Sequence, residues 1–201
     1  MISGSGKTVP EDTGTYPKSA LVTTDTEIES QSMVDYLCSC GHKRIAFITS
    51  GDEGLGRCHL NGYKRSLEKN GLEYDEKLII RLKPAKRIYT IENGYNCTCE
   101  LLKSGVDFSC IYAISDTLAV GACRAIIDSG KRVPEDYCVA GADGQDIAEY
   151  YHPSITTLKY PRVETAQQSV RTLFDMIDRK KVVKRQILGG TLIERESTRK
   201  L

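Results

Sequence analysis

Two short parts of this sequence place polar side chains directly after apolar runs. Ser115 and Asp116 follow the apolar run 110–114, and Asp143 follows the run 137–141. Small residues flank Asp143, so a ligand can approach the backbone there, and the carboxylate can accept two hydroxyl hydrogen bonds from a sugar or a ribose. The alternative role for Asp143 is that of a turn-forming aspartate.

Helix capping competes with ligand binding at the first of these positions. A Ser or Asp at the start of a helix accepts hydrogen bonds from free backbone N–H groups. We expect this structural role for Asp116, which follows an apolar run and precedes a helical pattern. Ser115 stands at the end of the run and points toward any cleft, so we expect it to contact a ligand.

Sequence motifs for catalysis are weak. Residues 4–8 resemble the tail of a phosphate-binding loop, but Met1 stands where the leading glycine belongs and no strand precedes it. We therefore expect a flexible terminus there. The three histidines, His42, His59 and His152, have no paired nucleophile motif. An enzyme with a Rossmann-like or flavodoxin-like sheet remains an alternative that rests on fold class alone.

Eight cysteines raise the question of disulfides or a metal site. Most of them lie inside apolar strand-like or helix-like segments, which favours buried reduced thiols. The Cys38/Cys40 and Cys97/Cys99 pairs are one residue closer than a usual zinc knuckle, and no histidine follows at finger spacing. We expect neither a metal nor a cofactor.

Overall composition is that of an ordinary globular protein. Of the 201 residues, 40% are hydrophobic, and 28 Lys and Arg nearly balance 27 Asp and Glu. A net charge of +1 gives no broad attraction for nucleic acid or an anionic membrane. No apolar run approaches the roughly 20 residues that span a bilayer, and no signal segment stands at the start. We expect a cytoplasmic protein that does not bind membranes.

Strand-like runs alternate with helical patterns along most of the chain. The runs lie at 20–24, 44–49, 78–82, 110–114 and 137–141, and a helical stripe follows each of the first four. In the first stripe, Ile28, Gln31, Val34 and Leu37 mark the expected buried face. Such alternation predicts an α/β fold with a doubly wound, mostly parallel sheet whose ligands bind beyond the carboxyl ends of the strands.

The pattern changes after Pro153. A short strand at 156–160 leads into a long helix with apolar residues from Val163 to Ile177, followed by a basic turn at 179–181. Two further short strands are predicted near 186–188 and 191–193, before a polar tail.

Several segments combine into a specific family pattern. They are residues 41–48, Gly62-Tyr63 with Leu67 and 71–72, Gly94-Tyr95, 113–122, 130–136, 140–143, 153–158 and 192–198. Together they resemble the effector-binding core of the LacI/GalR family of transcriptional repressors over roughly residues 20–198. The resemblance implies a two-lobed, periplasmic-binding-protein-like fold of type I and a small-molecule effector, often a sugar or a purine.

The same resemblance implies ligand contacts. Asp143 matches the acid that binds the effector, and Ser115 matches a polar contact. Tyr89 matches an aromatic residue that stacks on the ligand, and Tyr160 lies at a crossover between the lobes. The family's ligand arginine falls on His59, three residues before Gly62, with Arg57 two residues away.

The resemblance also implies a domain division and partners. Residues 1–18 are an irregular segment, 19–158 the C-terminal lobe, 159–186 a remnant of the N-terminal lobe, and 187–201 a closing strand and tail. We expect a homodimer, with the helix 117–129 shared between the dimer surface and core packing on the sheet. Operator DNA is expected to be contacted only through a helix-turn-helix headpiece that the sequence lacks. A sugar-binding receptor of a transport system with the same fold is the alternative function.

Overall fold

The computed structural model describes residues 19–83 and 86–201, so the phosphate-loop-like segment and the rest of residues 1–18 lie outside it. Strands and helices alternate along the described chain. The elements are β1 (Leu21–Thr23), α1 (Thr26–Ser39), β2 (Ile45–Thr49), α2 (Gly54–Lys69), β3 (Ile79–Arg81), α3 (Ile91–Lys103), β4 (Cys110–Ala113), α4 (Asp116–Asp128), β5 (Cys138–Asp143), α5 (Asp146–Tyr150), β6 (Thr156–Lys159), α6 (Arg162–Ile177), β7 (Arg185–Ile187) and β8 (Thr191–Ile193).

The strands form two sheets. Six of them pair in the order β3-β2-β4-β5-β6-β8, and all pairs are parallel except the antiparallel β6-β8 pair. The other two, β1 and β7, form a separate parallel pair. This mixed architecture confirms the predicted α/β class. The central strands β2 and β4 are buried on both faces because helices cover both sides of a parallel sheet.

Aromatic rings fill the core beside β2. Phe47 stacks on Tyr63 of α2 with ring centroids 4.9 Å apart, and on Tyr112 of β4 at 5.2 Å. The Tyr63 hydroxyl donates a 2.8 Å hydrogen bond to the Ile45 carbonyl, so its polar atom is satisfied inside the core. This packing fixes α2 against the middle of the six-stranded sheet.

Helices α3 and α4 approach closely at two glycines. A Cβ atom added at Gly94 would overlap the Leu118 carbonyl oxygen, and one added at Gly121 would overlap the Ile91 carbonyl oxygen. Only residues without a side chain permit this backbone contact. The pair of helices therefore depends on glycine at both positions.

The buried face of α1 agrees with the prediction at Val34 and Leu37, which are fully buried, but not in its first turn. Ile28 is 56% exposed, whereas the neighbouring Glu29 is 4% exposed and Ser30 is fully buried. A close contact with α2 explains the rotation, because a Cβ atom at Gly62 would meet the Glu27 carbonyl and the Ser30 side chain. In the first turn of this helix, backbone packing at a glycine therefore overrides the apolar stripe, which holds further along the helix.

Helix α6 presents its apolar residues to solvent. Its buried residues are Ser169 and Thr172, and its polar groups face the two-stranded sheet, where Gln186 donates to the Thr172 hydroxyl at 2.9 Å. Exposed apolar side chains along the helix are Val163, Val170, Leu173, Phe174 and Ile177. The predicted long helix is present, with its apolar face uncovered in the part of the chain that the structure describes.

All eight cysteines are free thiols, four buried and four partly buried. Within residues 19–83 and 86–201, no three His, Cys, Asp or Glu side chains form a group that could hold a metal ion. No helix in the same residues is both long and apolar enough to cross a membrane.

Candidate functional site

The carboxyl ends of β4, β5 and β6 lie side by side at one edge of the six-stranded sheet. The register pairs Asp143 at the end of β5 with Lys159 at the end of β6, and Tyr112 near the end of β4 with Ala140. Ser115 follows β4 and Tyr160 follows β6. The sheet therefore brings Ser115, Asp143 and Tyr160 to the same edge, as the sequence predicts.

Asp143 has an unusual backbone conformation. Its φ is 105°, in a region that non-glycine residues rarely adopt, and such strain concentrates at functional sites. Its side chain is 24% exposed. Gln145 Nε2 donates to Oδ2 at 2.9 Å, and the Arg162 guanidinium lies 3.6 Å from Oδ1. Oδ1 therefore has an ionic contact with Arg162 but no hydrogen-bond donor among the described residues.

Opposing effects set the protonation of Asp143. Burial raises its pKa above the ordinary value, while the Gln145 hydrogen bond and the Arg162 charge lower it. Arg162 is the first residue of α6, so a side chain of the next helix approaches the end of β5. The sequence gives no signal for this contact, because Arg162 becomes informative only once the path of the chain after β6 is known.

Ser115, not Asp116, caps α4. The Ser115 hydroxyl accepts a hydrogen bond from Leu118 N at 3.4 Å and shares one with the Thr117 hydroxyl at 3.0 Å. Our expectation that Asp116 caps the helix was wrong. Asp116 is fully buried and accepts 2.6 Å hydrogen bonds from the Thr157 hydroxyl and Gln145 N. Burial raises its pKa to about 6, against those two hydrogen bonds. Asp116 thus fastens the α4 start to β6 and to the loop after Asp143.

Tyr89 and Tyr160 supply aromatic rings near this edge. Tyr89 is 45% exposed just before α3, and its carbonyl accepts a 3.2 Å hydrogen bond from the Thr117 hydroxyl at the start of α4. Tyr160 is half-buried, and burial, together with nearby Tyr112 and the charges of Glu29 and Asp143, raises its pKa. Tyr89 therefore lies beside the start of α4, and Tyr160 lies directly after the end of β6.

His59 and Arg57 lie on α2, which follows β2 at the same edge of the sheet. His59 is 6% exposed, and no described residue hydrogen-bonds its buried Nδ1. Burial lowers its pKa to about 4, so the ring is neutral at pH 7. Its carbonyl accepts a 2.8 Å hydrogen bond from Ser30, which ties α2 to α1. The neighbouring Arg57 is exposed.

The sequence pattern did not predict a role for one residue of this region, Glu29. Glu29 is buried near the ends of β4 and β6, where its charge acts on Tyr112 and Tyr160. The apolar pattern placed Ile28 inward and gave Glu29 no role. The sequence feature that could have indicated such a role is the glutamate directly after Ile28, the first residue of the predicted buried face.

An α/β domain with polar side chains gathered beyond the carboxyl ends of parallel strands is of the small-molecule-binding class. A family model described as a periplasmic binding protein-like domain matches residues 34–198. The HTH-type transcriptional regulator MalR of Clostridium butyricum is 40% identical over 146 residues, which cover 73% of this chain and 42% of that protein.

Solved structures give the same result. A sugar-binding transcriptional regulator of the LacI family from Escherichia coli, in complex with phosphate, matches with a TM-score of 0.82 at 32% identity and covers 90% of this chain and 64% of that one. A complex of the transcriptional regulator CelR with cellobiose matches with a TM-score of 0.79 at 31% identity. The match covers 90% of this chain and 54% of that one.

The chain belongs to the periplasmic-binding-protein-like domain family. Its relatives are LacI-family transcriptional regulators, and it corresponds to their effector domain. The chain spans less than half the length of the first curated relatives it matches, 42% of one and 49% of another. The predicted family and fold type are thereby confirmed.

Proposed function

We propose that this chain is the effector-binding core of a LacI-type repressor, and that the strand-end edge around Asp143 binds a neutral sugar. The observation that carries the proposal is the strained backbone of Asp143 together with its carboxylate, whose Oδ1 has no hydrogen-bond donor among the described residues. A strained backbone conformation costs folding free energy, and such conformations are concentrated at binding and catalytic sites. Among the matched structures, the CelR regulator is in complex with cellobiose.

The other predicted contacts have defined roles in this proposal. Asp143 accepts hydroxyl hydrogen bonds, Tyr89 stacks on the sugar face, and Tyr160 borders the site from the crossover. Ser115 uses one acceptor position for its helix cap and shares a second hydrogen bond with the Thr117 hydroxyl, which leaves one position for the effector. His59 contributes an uncharged imidazole, with Arg57 beside it at the rim.

The charge of the site favours a neutral sugar over a sugar phosphate. A family arginine at position 59 would attract an anion, but His59 is neutral because burial lowers its pKa to about 4. The Arg162 charge is already offset by Asp143, which lies 3.6 Å away, and the Arg57 charge is exposed to solvent, which screens it. A purine nucleoside is the second neutral ligand with suitable hydroxyls, through its ribose.

The domain division supports an allosteric mechanism. We assign the six-stranded sheet, from α1 to β6 with the closing strand β8 and the tail, to a C-terminal lobe, and β1, α6 and β7 to part of an N-terminal lobe. The predicted lobe boundaries at residues 19 and 186 move to the crossovers because β1 pairs with β7. The separate β1-β7 sheet and the exposed apolar face of α6 support this assignment, because such a face packs against further protein in a complete lobe. An effector that binds the closed lobes better than the open ones then shifts their equilibrium.

The whole regulator would act as a cytoplasmic homodimer, without enzymatic activity, that contacts operator DNA through a helix-turn-helix headpiece. Most of α4 is already covered by α3 and β5, which leaves Arg124, Ile127 and Asp128 at the surface. With the 82% exposed Tyr150, these residues form the part of the lobe best suited to a second copy.

A thermal-shift panel tests the proposed effector class. We expect cellobiose, maltose or ribose, or else adenosine, to raise Tm by about 5 °C at a hundredfold excess over Kd, because ligand binding stabilises the native state by mass action. Glucose 6-phosphate should give no shift. The matched control is Asp143→Asn, which tolerates a positive φ but lacks the charge. A larger shift with the sugar phosphate than with every neutral compound would overturn the proposed charge selectivity.

A further inference from the structure

Glu29 is a buried carboxyl group in the first turn of α1. It is 4% exposed, and neither carboxylate oxygen has a partner at hydrogen-bonding distance and angle among the described residues. A buried ionised carboxylate without a partner is strongly unfavourable, so such a group favours its neutral form. Packing here therefore suits a carboxylic acid and opposes a carboxylate.

Glu29 lies near the connections between the two sheets. The chain passes between the six-stranded sheet and the β1-β7 sheet three times, at residues 24–25, 160–161 and 188–190; we call these segments the three crossovers. Glu29 lies beside the first and the third of them, and its charge acts on the second. Thr24 and the Gly190 backbone act on its carboxyl group, and the charge of Glu29 reaches Tyr160.

Contact with the third crossover is especially tight. A Cβ atom at Gly190 would lie 2.9 Å from Glu29 Oε1, 3.0 Å from the Leu158 side chain and 3.3 Å from the Lys159 carbonyl. Glu29 Oε1 is therefore packed against the backbone of Gly190, beside the end of β6. A change in the hydration or charge of this oxygen must displace the crossover or the end of β6.

The surrounding groups compensate a negative charge on Glu29 only in part. The pKa of Glu29 is raised from 4.5 to about 7 in total: burial raises it most, Thr24 and the Gly190 N–H lower it, and the charge of Asp25 raises it. On the β4 and β6 sides it faces Tyr112 and Tyr160, whose pKa values are raised by burial and then by nearby charges that include Glu29, Asp143 and Asp116. The side chain of Lys159 is exposed to solvent.

We propose that Glu29 is a proton-controlled positioning residue, whose neutral carboxyl group holds the three crossovers together and whose ionisation loosens all three. In a two-lobed regulator the crossovers are the hinge, so proton binding at Glu29 is linked to the relative orientation of the two sheets. This inference concerns the hinge itself and does not depend on which effector binds at Asp143.

Amide hydrogen exchange measured by mass spectrometry on the effector-free chain tests the proposal. The closed hinge binds the Glu29 proton more tightly than an opened hinge, where the pKa returns toward 4.5. Protection is therefore present at low pH and lost as the pH rises through about 7. After correction for intrinsic exchange, we expect protection in peptides covering the three crossovers to fall at least about tenfold between about pH 5.5 and about pH 8.

Two variants separate this effect from a general loss of stability. Glu29→Gln should keep the protection at its low-pH level throughout, because the amide does not ionise. Asp25→Asn retains a good helix cap but removes the neighbouring charge, and should move the midpoint to lower pH. Peptides from β2 and β4 should not respond. Equal pH dependence in the wild type and Glu29→Gln would overturn the proposal, as would a response confined to one crossover; if Glu29→Gln does not fold, an unchanged midpoint in Asp25→Asn would do so.

Discussion

Asp143→Gly should remove sugar binding while leaving the fold at least as stable as the wild type. The carboxylate is expected to accept two hydroxyl hydrogen bonds, and charge-assisted bonds of this kind contribute about 1.5–3 kcal/mol each. Loss of both lowers affinity by about 100-fold or more. Glycine meanwhile relieves the strained φ of 105°, which offsets the lost contacts with Gln145 and Arg162.

Titration calorimetry with the sugar found in the thermal-shift panel, combined with urea unfolding, measures both quantities on the same samples. The next residue, Gly144, already has a positive φ, which shows that glycine is accommodated in this turn. Unchanged affinity in Asp143→Gly would show that the carboxylate does not bind the effector. Reduced affinity with a large loss of stability would instead assign Asp143 a structural role.

Gly94→Ala and Gly121→Ala should each destabilise the chain by about 3 kcal/mol. Alanine normally stabilises a helix interior relative to glycine by up to about 1 kcal/mol. At these two positions the added methyl group overlaps a backbone carbonyl of the facing helix, which cannot move as a flexible side chain can. The overlap must separate α3 from α4, and the loss of packing outweighs the gain in helix propensity.

Urea denaturation followed by circular dichroism gives these free energies of unfolding. Gly189→Ala is the matched control, because a Cβ atom there meets nothing within 4 Å and its backbone needs no positive φ. It should change stability by less than about 0.5 kcal/mol. A Gly94→Ala variant as stable as Gly189→Ala would contradict the close helix contact.

The strands of the six-stranded sheet could be predicted because a parallel sheet buried on both faces requires continuous apolar runs. The runs at 44–49, 78–82, 110–114 and 137–141 became β2, β3, β4 and β5 with shifts of one or two residues at their ends. The short helix α5 was not predicted, since a five-residue element carries too little periodic signal.

Helix faces were harder to predict because they depend on contacts between elements. The exposure of Ile28 and burial of Glu29 follow from the close approach of α2 at Gly62. The uncovered apolar face of α6 likewise follows from its position on a two-stranded sheet, where Gln186 contacts Thr172. Neither neighbour can be identified from periodicity within one helix.

The candidate site shows the same division. Ser115 and Asp143 could be chosen from the sequence because the edge of a parallel sheet collects the residues that follow its strands. Tyr89, Tyr160, His59 and Arg57 came from the family resemblance. That Ser115 caps α4 in place of Asp116 could not be foreseen, because either side chain can cap a helix and the choice depends on Thr157 and Gln145.

Backbone NMR of the chain titrated with the sugar that gives the largest thermal shift tests the central claim most directly. If the effector binds beyond the carboxyl ends of β4, β5 and β6, the amide signals of residues 114–117, 143–145 and 159–161 shift together with one saturation curve. Shifts confined to the opposite edge of the sheet, or no shifts at saturating cellobiose, maltose, ribose and adenosine, would contradict the account.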